Sequence, residues 1–252
     1  MINEENDGIR LLAALNNAEW CDAVCRAHGL EGSLGEDVWI SARRTPPYYP
    51  DAVTLRAEAS EGAVLTGIDT DAPGSSVKDS FAVLDLAPDG FEVLFDAQWI
   101  HRPATAPAPA PTPGLALNWT RVASAAELEA WEATWDGEES TGLFRPALLT
   151  SEIAFLAGRD PGGRIRAGAV ANRTGEVVGL SNVFTAEGTP DDAAWSGSLA
   201  SIAGLWPGLA VVGYESGDDL GTAIRHGFRP VGPLRVWLRT SERTHLLRSR
   251  TA

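Results

Sequence analysis

The chain has 252 residues, 44% of them apolar and 21% charged, with a formal net charge of −14, an ordinary globular composition long enough for one large domain or two small ones. That apolar share excludes a disordered chain, no stretch approaches the roughly 20 apolar residues of a membrane helix, and the acidic balance repels phosphate, which speaks against nucleic acid as a partner. Two cysteines and four histidines, with no two histidines at ligand spacing and no His–Cys set, exclude a disulfide scaffold and a metal site.

The N-terminus, MINEENDGIRLL, is acidic where a secretory signal is basic and then apolar, so a cytoplasmic protein is expected. Residues 8–28 read as a helix with Ile9, Leu12 and Leu15 on one face. Cys21 and Cys25 stand four apart in it and read as buried, reduced thiols. A strand-like VWIS over 38–41 leads to a turn at Pro46-Pro47 and an extended AVTLRAEA. Lys78 is the one lysine against nineteen arginines, which, with abundant alanine, points to a GC-rich genome rather than to a mechanism. The runs SSVKDSFAVLDLAP and FEVLFDAQWIHR flank Asp89-Gly90, a hairpin signal.

PATAPAPAPTPG, residues 103–114, reads as an extended connector, because its prolines lack a donor and its small residues have little to bury. It divides the chain into an N-terminal α+β part, 1–102, with 7 basic and 18 acidic residues, and a second part over 115–240, followed by a basic tail, 241–252. After the connector, ALNWTRV predicts a strand. Ser124 with Glu127 predicts a capping box for a helix carrying Leu128, Trp131 and Trp135 on one face. A second helix is predicted over 145–158, and two strands joined at Thr174-Gly175 follow. Trp195, Leu199, Ile202 and Trp206 mark a helix over 191–206, capped by Asp191 or Asp192 and stopped by Pro207-Gly208. LAVVGYE reads as a buried strand, a short helix over 219–226 ends at Gly227, and PLRVWLR is a last strand. The fold class is α+β with a mixed sheet.

Three stretches, GRIRAGAVANRTGEVVGLSNVFTA, LAVVGYESGDDLGTAIRHGF and PVGPLRVWLR, resemble the GNAT (GCN5-related N-acetyltransferase) superfamily over roughly residues 115–240. With WISARRTPPYYPDAVTL in its first half, the whole chain is similar to actinobacterial members that carry an extra N-terminal part, which here can itself be a worn GNAT-like unit. The resemblance implies acetyl transfer from acetyl-CoA to an amine, a V-shaped opening between strands 177–185 and 209–215, and a small-molecule substrate. A homodimer is compatible with it, although no sequence feature demands one. It implies pantetheine contacts at Asn182, Val183 and Phe184, and a diphosphate seat at Gly188 and Thr189 leading into the next helix. That turn, Ala186 to Asp192, has one glycine. Pro190 offers no N–H, and Glu187, Asp191 and Asp192 crowd negative charge where a diphosphate belongs. Where members of the family carry a tyrosine acid, this chain has Ala223, so Tyr214 and Glu215 are the candidate acid and base; Tyr214 also fits a core aromatic.

Trp39, Arg43, Arg44, Tyr48 and Tyr49 form the densest cluster of rings and cations and are the candidate substrate-binding residues, by carboxylate pairing or stacking. A rigid proline turn on which the tyrosines pack accounts for the same residues. His226, just before Gly227, suits a helix C-terminus. Two functions stand: an acyltransferase of weak or altered activity whose arginines compensate for the missing glycines, and a non-catalytic small-molecule-binding or regulatory protein.

Overall fold

A computed structural model describes residues 2–110, 112, 115–137 and 140–239. The basic tail, with Arg243, Arg248 and Arg250, and His245 lie outside them. The described residues form eleven strands and five α-helices in an α+β arrangement. The first part holds α1 (Ile2–Ala27), β1 (Gly32–Leu34), β2 (Val38–Ser41), β3 (Ala52–Thr54), α2 (Glu61–Gly67), β4 (Ser76–Asp79) and β5 (Phe91–Arg102). The second holds β6 (Asn118–Arg121), α3 (Ala125–Asp136), β7 (Ile153–Arg159), β8 (Ile165–Thr174), β9 (Val177–Thr185), α4 (Asp191–Leu205), β10 (Ala210–Glu215), α5 (Gly217–Arg225) and β11 (Arg229–Arg239).

All the strands join one sheet, in the order β1-β2-β3-β4-β11-β5-β10-β9-β8-β7-β6. The sheet runs straight across the proline-rich connector. β5, made before it, lies between β11 and β10 and is antiparallel to both. The expected hairpin at Asp89-Gly90 is therefore not one. Gly90, at φ 81°, closes a single 3₁₀ turn over Ala87–Asp89, and β11 enters between β4 and β5. Local turn chemistry carries no trace of a strand that arrives so much later in the chain.

α1 starts earlier than the sequence suggests and packs by its small residues. Ala14, Ala18, Cys21 and Cys25 are buried at helical spacing, while Leu12 is exposed. Small side chains let the helix approach the sheet closely. Gly179 of β9 permits this, since a Cβ there would come within 1.9 Å of Asn16 Oδ1. Asn16 and Asn172 clasp the contact: each side-chain amide donates to the other's backbone carbonyl, at 2.9 and 3.2 Å.

α3 follows its capping box: the Ser124 hydroxyl accepts from the Glu127 N–H, and the Glu127 carboxylate accepts from the Ser124 N–H. The helix predicted over 145–158 is instead a 3₁₀ turn, Pro146–Leu148, and the strand β7. IAFLAG is buried on both faces, and periodicity does not separate a fully buried strand from a helix. α4 buries Trp195, Leu199 and Ile202 against the sheet, as its spacing predicts. Neither aspartate caps it. Pro190 occupies the N-cap, the Asp191 carboxylate accepts from the Thr185 hydroxyl, and Asp192 bonds His226. α5 ends as expected at Gly227, at φ 88°, whose N–H donates to the Ile224 carbonyl.

Candidate functional site

β9 and β10 pair in parallel only from Val177 opposite Ala210 to Gly179 opposite Val212. Beyond that point the two strands run on without pairing, to Thr185 and Glu215. The cause lies on the other edge of β9. Its register with β8 shifts between Gly168 and Val170, so Asn182 and Val183 stand opposite Ala169 alone. Such a bulge bends its strand and increases the local twist. Asn182 takes up the strain at φ 50°, a left-handed conformation that asparagine tolerates better than most residues. At the fork, Gly213 lies so near the Leu180 carbonyl that a Cβ would be 2.8 Å from its oxygen.

The parted strands open into a cleft of about 250 Å³. Ser181, Asn182, Tyr214 and Glu215 line it from the sheet, and α1 contributes Asn17, Trp20 and Cys21. Tyr48, Tyr49 and Trp135 form an aromatic rim, with Tyr48 edge-on to Trp135 at 5.8 Å between ring centroids. A narrower slot of about 50 Å³ continues between the end of β9, α4 and α5, lined by Asp191, Trp195 and Asp219 among others. Val183 and Glu215 line both spaces and stand where they meet.

Glu215 has the chemistry of a proton carrier. Burial first, and the neighbouring Asp219 carboxylate second, push its pKa up to about 8. It holds its proton at neutral pH and can release or take one close to it. The thiols cannot compete. Burial pushes Cys21 up to about 11 and Cys25 to about 12, so both stay protonated and both are free of disulfides.

The turn before α4 is braced from β8. Arg166 donates to the Glu187 carbonyl at 2.6 Å and to the Thr189 hydroxyl at 3.2 Å. The Thr189 N–H donates to the Ala186 carbonyl, and Gly188 sits at φ 78°. Asp192 is hydrogen-bonded to His226 at 2.8 Å and is partly compensated by Arg225 at 3.7 Å. Asp191 makes no ion pair among the described residues.

Of the five substrate-binding candidates of the first half, the structure brings two to the cleft, Tyr48 and Tyr49. Trp39 is fully buried, with its indole N–H on Asp22 at 3.1 Å. Arg43 donates to the Gly29 carbonyl, and Arg44 pairs with buried Asp51 at 2.6 Å. Both arginines are thus engaged in holding the loop that presents the tyrosines. Asn182 and Val183 line the cleft, Phe184 lines the slot and stands edge-on to Trp131, and Gly188 and Thr189 lie in the braced turn. One cleft residue escapes the sequence reading. Lys78 reaches in from β4 and lies 4.2 Å from the centre of the Tyr214 ring. Its signal is its rarity: it is the single lysine in the chain, and codon usage does not explain why it is buried.

No family model and no curated protein sequence matches the chain. Among solved structures it is similar to a GCN5-related N-acetyltransferase from Kribbella flavida, with 14% identity and a TM-score of 0.63 over 92% of this chain and 97% of that one. A putative acetyltransferase from the GNAT family of Novosphingobium aromaticivorans shows 16% identity and a TM-score of 0.55 over 90% and 99% of the two chains. A GCN5-related N-acetyltransferase from Sphaerobacter thermophilus shows 12% and 0.53 over 89% and 91%. A forked parallel strand pair, a bulged β9, and a likeness that spans nearly the whole of each partner make this an instance of the GCN5-related N-acetyltransferase fold.

Proposed function

We propose that the protein is an N-acyltransferase of the GNAT kind that acts on a small amine held in the aromatic cleft, with an impaired seat for the diphosphate of its coenzyme. The observation that carries this reading is the fork of β9 and β10, with Glu215 at the junction of cleft and slot. Acetyl-CoA, the donor that the fold implies, would supply a thioester carbon: as the amine nitrogen bonds to it, the carbon–sulfur bond breaks and the coenzyme leaves as a thiolate that takes up a proton. An amine attacks only as the free base. Glu215, once ionised, takes the proton from the incoming ammonium, and its pKa of about 8 suits that task. The unpaired stretch of β9 offers backbone groups to a pantetheine arm. The diphosphate end does not fit. Thr189 has committed its N–H, Pro190 has none, and Asp191 faces the helix end an anion would use. A carboxylate near a diphosphate at a surface site costs on the order of 1–4 kcal/mol.

Calorimetric titration with acetyl-CoA, paired with a thiol-release assay on a panel of amines, tests both parts. Transfer that rises with pH through about 8 is expected, and it falls by about a hundredfold or more in Glu215→Gln. Coenzyme affinity is expected to be weak, and to tighten about tenfold when Pro190→Gly is combined with Asp191→Ala. Micromolar affinity in the unaltered protein overturns the impaired seat. No binding at millimolar coenzyme, together with no transfer, overturns the enzyme reading. The acidic slot favours the second reading, a small-molecule-binding protein without catalysis, and that result would leave it standing.

A further inference from the structure

We propose that Lys78 anchors an anion in the cleft and that the acceptor is an amine carrying a carboxylate, an amino acid with an apolar or aromatic side chain. The inference deepens the acyltransferase reading and rests on it for the word acceptor; the anchor itself does not.

Lys78 is 4% exposed, and among the described residues no carboxylate comes within ion-pair distance of it. Its Nζ donates to Asn17 Oδ1 at 2.8 Å and lies over the face of the Tyr214 ring. Asn17 is neutral, and an aromatic face offsets only a small part of a buried ammonium's desolvation. An ammonium has three protons, one of which goes to Asn17 and one side of which is covered by the ring. The remainder faces the cleft. The nearby acids are engaged elsewhere. Asp79 accepts from the Phe81 and Leu84 N–H groups, Asp22 pairs with Arg26, and Asp51 pairs with Arg44. Glu215 keeps its proton at neutral pH and supplies no full counter-charge. A buried cation without a counter-charge is costly to maintain in a core, and here it lines a space that a small anion can enter.

The rest of the cleft describes the remainder of the ligand. Trp20, Tyr48, Tyr49 and Trp135 surround an apolar or planar group. A volume of about 250 Å³ suits a compact molecule, below the usual range for drug-sized ligands. Tyr48 stands at φ 71° and is 79% exposed, a bulky residue held in a strained conformation at the rim. Strain of that kind, on the order of 1–3 kcal/mol, is concentrated at ligand clamps. Glu215 lines the same space, where it meets the amine. A carboxylate on Lys78, an amine at Glu215 and an apolar group among the rings together make an amino acid.

The single lysine makes the test direct, because protein labelled with ¹⁵N-lysine gives one Nζ signal. Phenylalanine, leucine and phenylacetate are titrated against that signal, each beside its neutral amide. The acids are expected to shift it saturably and to bind at least about tenfold more tightly than the amides. Lys78→Met is expected to lose that preference while still binding the amides. Equal binding of acids and amides, or no shift by any acid at about 10 mM, overturns the proposal. Should Lys78→Met fail to fold, the acid–amide comparison in the unaltered protein decides alone. Acid-selective binding without acyl transfer overturns the proposed reaction and leaves the anchor standing. Transfer to amines with no preference for acids does the reverse.

Discussion

Glu215 and Glu132 tie stability to pH with opposite signs. The pKa of Glu215 rises on folding from 4.5 to about 8, so between those values the folded chain binds more protons than the unfolded one. Its contribution is full below about 4.5 and is lost as pH rises through about 8. Urea midpoints measured from pH 5 to 9 are expected to fall more steeply in the unaltered protein than in Glu215→Gln; parallel curves would refute the assignment. Glu132 is almost fully buried, which opposes its ionisation. The N–H groups of Leu143 and Phe144 and the Thr141 hydroxyl outweigh that and hold its pKa below the usual range. Its contribution is present above the usual carboxylate pKa and is lost as pH falls below it. Glu132→Ala leaves several buried donors without a partner and is expected to cost about 3–5 kcal/mol in urea unfolding. A cost within experimental error would mean that water replaces the carboxylate.

Among the elements, β9 does most to make the site, through its bulge at Asn182 and its bare backbone at Gly179. Gly179→Ala places a methyl where Asn16 sits, which separates α1 from β8 and β9. Its expected cost is about 1–3 kcal/mol, with a disturbed cleft, since α1 carries Trp20 and Asn17 into it. Hydrogen exchange checks this: loss of protection confined to α1 and β9 is expected, and uniform loss would point to general unfolding instead. The elements legible in the sequence are those whose signal is local. The stripe from Trp195 to Ile202, the Ser124–Glu127 box and the stop at Gly227 each act within a few residues, and each is where the sequence puts it. β7 was hidden because burial on both faces erases alternation. The cleft was half legible: Tyr48, Tyr49, Tyr214 and Glu215 could be named, because rings and carboxylates advertise chemistry. Arg43 and Arg44 advertise it equally, but their partners Gly29 and Asp51 are set by the folded loop. Lys78 carried no local pattern, and only the sheet brings β4 to Tyr214.

At the scale of the molecule, the composition break at 103–114 marks a crossing and not a seam in the sheet. A fragment beginning at residue 115 lacks β5, so β10 and β11 would face an empty place between them. That fragment alone is expected to be insoluble or to lack cooperative unfolding, and co-expression with residues 1–102 is expected to restore a soluble pair. A fragment that melts cooperatively by itself would show that β10 and β11 can close on each other without β5. The same insertion shapes the cleft, for β5 sets the spacing between β10, which holds Glu215, and β11, whose other edge holds β4 and Lys78.

Synthesis runs in one direction, and this sheet is not assembled in that order. The end of β5 and the start of β11 are 127 residues apart, so a ribosome working at about 5–20 residues per second finishes the fourth and fifth strands roughly ten seconds before the strand that joins them exists. Until β10 is made β5, with Val93, Leu94 and Phe95 along it, has two open edges that a neighbouring nascent chain could occupy, and until β11 follows it still has one. The fold therefore makes its own production a race between completion and aggregation, and yield in the cell should respond to chaperone supply and to translational pausing between β5 and β11 more than to the stability of the folded protein.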